Sequence, residues 1–291
     1  MEKIKCGLCE RRIDEDSHFC KYCGTTIIFR NEDTYNKERL TYIFQNVYKT
    51  LQTYSSYSEK EFDEKYETFK NYKNRTLSDN DYYRLLVDII FYSGFRASTV
   101  DKYIERIHVH FPSYQVVSSY SCEEIERIKN DTNMIKNKSK IDACVHNAKK
   151  ITELVAKYGS IKDFIESFDP NISDEALDNL KKSLERNFKY IGGQTSYHFM
   201  MDIGLNVLKP DRVMLRIFKR LGLIQSEDDL FGAVKVGRAL SKENNLPIRF
   251  IDIIFVLYGQ LNQENLECIC SENNPKCNIC GVKSECLYVK G

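Results

Sequence analysis

The run Phe188-Lys-Tyr-Ile-Gly192-Gly193-Gln194-Thr195-Ser-Tyr-His-Phe-Met-Met-Asp-Ile-Gly204, continued by Leu-Asn-Val-Leu-Lys209-Pro210-Asp211-Arg212-Val213-Met-Leu-Arg216-Ile-Phe-Lys-Arg220-Leu-Gly-Leu-Ile224, decides how this chain is read. A polar helix over about 174–187 ends just before Gly192-Gly193, and a second helix starts at Gln194. Two glycines between helices permit a tight turn with positive φ. They also bring backbone N–H groups to a helix N-terminus with no side chain in the way, an arrangement suited to a phosphate oxygen. Beyond Gly204, Pro210 holds its predecessor extended and Asp211 is placed to cap the next helix. The apolar face of that helix is Val213, Leu215, Ile217, Phe218 and Leu221.

Working outward, 291 residues suffice for one large domain or two modest ones, and 42% hydrophobic with 29% charged residues is a globular composition. The net charge of +1 provides no global basic field, so any nucleic-acid face must be a local patch. No apolar run approaches a membrane span and the N-terminus lacks a signal-peptide core, so a cytoplasmic protein without a membrane partner is expected. Eleven cysteines in such a compartment point to metal rather than disulfides.

Cys6-x2-Cys9 and Cys20-x2-Cys23 bring paired thiolates to two tight turns, the spacing of a structural zinc ribbon over residues 1–28. So short a segment has too little core to fold without its metal. Residues 29–78 are expected as a tyrosine-rich helical extension, with one helix carrying Leu40, Ile43, Phe44, Val47 and Leu51 and another over 58–73. A further helix capped at Asp79 or Asp81 breaks at Tyr92-Ser93-Gly94-Phe95-Arg96 and resumes near Ala97. Residues 237–260 supply one or two more helices before Cys270-x6-Cys277-x2-Cys280-x5-Cys286.

The hairpin, the loop aspartate and this last spacing together resemble the helix-hairpin-helix DNA glycosylase superfamily, the endonuclease III-like group. Asp211, Arg216 and Arg220-Leu221-Gly222-Leu223 stand as in that group's pattern. The run Met134-Ile-Lys136-Asn-Lys138-Ser-Lys140-Ile-Asp-Ala-Cys-Val-His-Asn-Ala148 and Phe188-x-Tyr-Ile-Gly192…Tyr197-x-Phe-Met are similar to the 3-methyladenine DNA glycosylase I family. The resemblance covers roughly 79–286. It implies an all-α, two-lobed fold, with the glycosylase core over 79–265 and an iron–sulfur loop over 266–291.

Carried over residue by residue, the resemblance makes Asp211 the catalytic carboxylate. Gly192, Gly193, Gln194 and Thr195 would hold DNA phosphate, with Lys138 and Lys140 as further DNA contacts and Arg212 and Arg216 as weaker ones. Tyr92, Ser93, Phe95 and Arg96 would border the base pocket, with Tyr92 and Phe95 as core residues the alternative. Cys270, Cys277, Cys280 and Cys286 would bind a [4Fe–4S] cluster, a second zinc site being the alternative. The departures matter as well. Gln194 stands where bifunctional members carry a Schiff-base lysine, and an amide cannot form one. Tyr190 replaces the first hairpin glycine, and Val213 stands where many relatives have a histidine. The 3-methyladenine family itself lacks the loop aspartate and the cluster, so the chain is a mosaic.

The function implied is that of a monomeric, monofunctional enzyme of base excision repair on double-stranded DNA, excising an alkylated purine. The alternatives are a lesion-binding protein without activity and a mismatch or oxidised-base glycosylase. The zinc ribbon would recruit a protein or DNA partner.

Overall fold

The computed structural model describes residues 3–5, 11–14, 22, 36–71, 76–261 and 265–290. The four cysteines of the expected zinc ribbon, Cys6, Cys9, Cys20 and Cys23, lie outside the described residues. Residues 1–40 and 41–291 form two compact units. In the first, strand β1 (Lys3–Lys5) pairs antiparallel with β2 (Arg12–Asp14), Ile4 opposite Ile13. Otherwise the described elements are helical, as the all-α expectation has it.

Helices α1 (Lys37–Thr53) and α2 (Glu59–Lys70) precede α3 (Asp79–Tyr92). Then come α4 (Ala97–Val100), α5 (Ile104–His110), α6 (Tyr114–Ser118), α7 (Cys122–Lys129), α8 (Lys138–Tyr158) and α9 (Ile161–Glu166). The chain continues through α10 (Asp174–Asn187), α11 (Gln194–Asp202), α12 (Arg212–Arg220), α13 (Leu230–Asn244), α14 (Ile248–Gly259) and α15 (Leu287–Lys290). The local sequence explains these bounds. Ser58, Ser78 and Ser121 each close a capping box with an acid three residues on. The cap of α3 is therefore Ser78, with Asp81 as its partner rather than the cap itself.

Helix α8 anchors one group of helices. Its Ile141, Cys144, Val145 and Ala148 are buried, as are Leu86, Val87, Ile90 and Phe91 of its neighbour α3. Helix α14 anchors the other, between α12, α13 and α2. It is apolar nearly all round, which suits a helix enclosed by neighbours, and Phe255 meets Phe218 edge-on at 5.1 Å.

The tyrosine-rich stretch from residue 41 onward belongs to this same unit and is no separate extension. Phe44 and Tyr48 face Phe250, and Tyr48 meets Phe62. The cysteine loop joins it too, for Thr50 Oγ1 accepts Gly281 N–H at 3.2 Å. The boundaries drawn from sequence at 78/79 and 265/266 thus fall inside one unit.

Candidate active site

The hairpin forms where the glycines predict it, between α10 and α11, but its strain is distributed differently. Gly193 has φ +55°, whereas Gly192 does not have positive φ, and the second left-handed residue is Tyr190 at φ +63°. An aromatic residue rarely adopts that conformation, so its surroundings must hold it there. Thr195 Oγ1 donates to the Tyr190 carbonyl at 2.9 Å, and Lys140 Nζ stands 5.1 Å from the centre of the Tyr190 ring. Asn147, fully buried on α8, clamps the approach. Its Oδ1 accepts Lys189 N–H at 2.8 Å and its Nδ2 donates to Lys189 O at 3.1 Å.

Three of the amides expected to face phosphate, those of Gly192, Gly193 and Thr195, are occupied from within. Gly192 N–H donates to Thr195 Oγ1 at 2.8 Å, and Thr195 N–H to Gly192 O at 3.1 Å. Gly193 N–H donates to Glu185 Oε1 at 3.0 Å. The same carboxylate oxygen accepts from Ser196 Oγ at 3.1 Å and pairs with Lys181 Nζ at 2.8 Å. An acidic side chain at the N-terminal end of α11 is where the helix dipole favours negative charge. Sequence reading missed Glu185, although its spacing of four from Lys181 marks a helical ion pair.

Lys140, expected on DNA, turns inward instead. It is 3% exposed, and its ammonium donates to Ile90 O and, at 2.6 Å, to Ser93 O, binding the last carbonyls of α3. Its Nζ also lies 5.2 Å from the Phe95 ring centre, so this one cation joins the loop after α3 to the hairpin. Burial lowers its pKa. Lys138 is exposed on the first turn of α8, and Arg96 is exposed at the start of α4.

Neither aromatic residue of the loop is core. Phe95 is 38% exposed, and half-buried Tyr92 donates its hydroxyl to Asp101 at 2.5 Å. An open cleft of about 740 Å³ runs beside the hairpin. Ser93, His146, Glu185, Tyr190, Gly192 and Thr195 are among its lining residues. It thus brings one expected pocket residue together with two expected phosphate-binding residues, while Asp211 stands outside its lining.

Asp211 does cap α12, its Oδ1 accepting Met214 N–H at 2.9 Å. A tight turn precedes it, with Asp211 N–H donating to Lys209 O at 2.8 Å across Pro210. Beneath the turn lies Asp252 of α14, 6% exposed, whose Oδ1 accepts Lys209 N–H at 3.1 Å. Burial pushes the Asp252 carboxyl up to about 6, opposed by Arg249, by the Lys209 hydrogen bond and by the Lys209 charge, and reinforced by Asp211. The signal for Asp252 was an acid set within Ile248-Arg-Phe-Ile-Asp-Ile-Ile-Phe255, where every neighbour but Arg249 is apolar.

Arg216 is structural. It is 9% exposed, and its Nη2 donates to Gly259 O at 2.7 Å and Cys270 O at 3.0 Å, tying α12 to the cysteine loop. Arg220 Nη1 donates to Cys270 Sγ at 3.3 Å, and the Tyr258 hydroxyl to Cys280 Sγ at 3.2 Å. Cys280 lies within electrostatic reach of Cys270, Cys277 and Cys286, so the four thiols share one region. Among the described residues, no three Cys, His, Asp or Glu side chains stand at the spacing of a single metal ion.

Several known proteins are similar to parts of this chain. DNA-3-methyladenine glycosylase 1 of Escherichia coli (strain K12) is 30% identical over 104 residues, 31% of this chain and 56% of that protein. The chain therefore spans about half the length of this curated relative. Among solved structures, 3-methyladenine DNA glycosylase I from Staphylococcus aureus is 21% identical, with 48% of this chain and 84% of that one covered and a TM-score of 0.40. The 8-oxoguanine DNA glycosylase of Thermotoga maritima is 16% identical, with 80% and 100% covered and a TM-score of 0.47. Residues 70–209, just under half of the chain, match the methyladenine glycosylase family.

Proposed function

We propose that this chain is a DNA glycosylase that turns a modified base out of duplex DNA and hydrolyses its N-glycosidic bond, with an alkylated purine as the favoured target. The match to the methyladenine glycosylase family over residues 70–209 carries the reading. That segment contains the hairpin and ends at Lys209, and the chain then enters the turn that presents Asp211.

As the base leaves with the bonding electrons, positive charge builds on the deoxyribose, and water supplies the new bond to carbon. A water proton balances the charge gained by the departing base. A fixed carboxylate stabilises the developing cation or orients the water, and Asp211 takes that role here. The base must first leave the stack, at a cost that is smallest for damaged or mispaired bases. Phe95 and Tyr92 are the aromatic faces offered to it, while Gln194 and the exposed Lys138 contact the backbone. Gln194 at the first position of α11 supplies no amine, which supports hydrolysis without strand cleavage.

The Cys-x6-Cys-x2-Cys-x5-Cys spacing of Cys270, Cys277, Cys280 and Cys286 supports a [4Fe–4S] cluster held by the four thiols. They share a region, and Arg220 and Tyr258 donate to two of the sulfurs. Such a cluster would tie the loop together, and no step of the base release runs through it. Iron analysis checks this part, with about four iron atoms per chain expected.

The deciding experiment measures base release from duplexes carrying alkylated, deaminated, oxidised and mismatched bases, for wild type beside Asp211→Asn. Release by wild type alone, with strands breaking only after alkali, is the expected result. Breaks without alkali would refute the lyase-free reading. Intact duplex binding with no release from any substrate would leave a lesion-binding protein in its place.

A further inference from the structure

Asp252 is the one carboxylate in the described chain that burial and contact both direct at the turn carrying Asp211. It sits on the enclosed helix α14 with 6% of its surface exposed. One oxygen accepts the Lys209 N–H at 3.1 Å, and the other lies 3.5 Å from Arg249 Nη1. The Arg249 guanidinium is itself occupied, donating to Met201 Sδ at 2.7 Å at the end of α11. Met201, Arg249, Asp252 and Lys209 therefore form a chain of contacts from the hairpin's second helix to the loop before Asp211.

We infer that Asp252 is a positioning residue for the base-release reaction. It fixes the Lys209–Asp211 turn through the Lys209 amide and sets a second negative charge behind Asp211. This inference rests on the glycosylase reading. A hydrogen bond from a helix to a loop amide restricts where Asp211 can stand, and the buried charge acts through a medium that screens poorly. As the sugar becomes cationic, both negative charges stabilise it, Asp211 directly and Asp252 through its neighbour. The charged groups facing Asp252 are Arg249 from its own helix and Lys209 and Asp211 from the loop. Protonation removes the second charge while leaving an oxygen to accept the Lys209 N–H, so the rate falls as pH drops although the fold is kept.

The test follows single-turnover base release against pH for wild type and Asp252→Asn, with duplex affinity measured alongside. In wild type the rate declines as pH falls through about 6. Asp252→Asn keeps an acceptor for Lys209 N–H, binds duplex within about twofold of wild type, and loses that limb. Its plateau lies roughly tenfold lower, the size of one lost charge interaction of this kind. A variant whose limb matches wild type overturns the inference.

A second measurement needs neither activity nor a stable Asp252 variant. The side-chain carboxyl of Asp252 is titrated by carbon NMR in wild type and in Asp211→Asn. Removing the Asp211 charge shifts the Asp252 titration to lower pH, and an unmoved titration refutes the coupling. Absence of base release from wild type on every duplex would sink the glycosylase reading itself, a result distinct from an unmoved titration.

Discussion

Replacing Asp252 by asparagine tests the physics of the turn through stability alone. Burial raises the folded-state pKa of this carboxyl from 3.8 to about 6. The folded protein therefore holds the proton more tightly than the unfolded chain. Stability from this group is fully present below the unfolded pKa and is lost as pH rises through the folded one. The whole shift is worth about 3 kcal/mol, and roughly 2 kcal/mol of it falls between about pH 4 and pH 7.5. Asparagine cannot titrate, so wild type loses about that much stability relative to Asp252→Asn over this interval. Urea unfolding at a series of pH values gives both curves, and subtracting them cancels carboxylates the two proteins share. The expected difference slopes only between the two pKa values and is flat above about pH 7. A flat difference throughout would mean that Asp252 is hydrated, and the account of the turn would fail. A slope of opposite sign would mean that Arg249 dominates and holds the carboxylate ionised.

Three further perturbations examine the neighbouring elements. Asn147→Ala strips both partners from the Lys189 backbone and is expected to cost about 2–4 kcal/mol in urea unfolding; a loss under 1 kcal/mol would show that water replaces the clamp. Glu185→Gln keeps an oxygen for Gly193 N–H but removes the charge beside the hairpin, so duplex affinity should rise about two- to fivefold at low salt and converge with wild type at high salt. Equal affinity at low salt would place the phosphates elsewhere. Gly237→Ala puts a methyl group against Leu208, whose Cγ would lie 2.7 Å away, and overpacking should cost about 1–3 kcal/mol despite the better helix propensity of alanine. Because Leu208 precedes Lys209, its base-release rate should fall as well; an unchanged melting temperature would show that Leu208 has room to yield.

What the sequence disclosed and what it hid divide along a physical line. The hairpin, the cap at Asp211 and the break after Tyr92 were legible because each depends on a few adjacent residues whose backbone preferences are strong. Lys140 misled because charge alone reads as surface. Nothing local shows that the carbonyls of Ile90 and Ser93, some fifty residues earlier, end in front of its ammonium. The amides of Gly192 and Gly193 misled for a related reason, since a glycine turn announces free donors while Thr195 and Glu185 claim them from either side. In the same way Phe44 and Tyr48 gave no sign that Phe250 was their partner.

The two groups the sequence assigned least, Glu185 and Asp252, share a property that bears on mechanism. Each is a carboxylate held behind an element that the proposed function brings to DNA, one at the hairpin and one at the turn before Asp211. With a net charge of only +1, the chain cannot rely on a broad positive field to draw in the duplex. Acids so placed oppose phosphate at the hairpin and favour a cation at the sugar. An enzyme arranged this way forgoes uniform affinity for duplex and concentrates its electrostatics on the transition state, where added stabilisation raises the rate. On the proposed function the Glu185 and Asp252 substitutions separate cleanly. Removing the first charge should tighten binding and leave the chemical step unchanged, whereas removing the second should slow the step and leave binding unchanged.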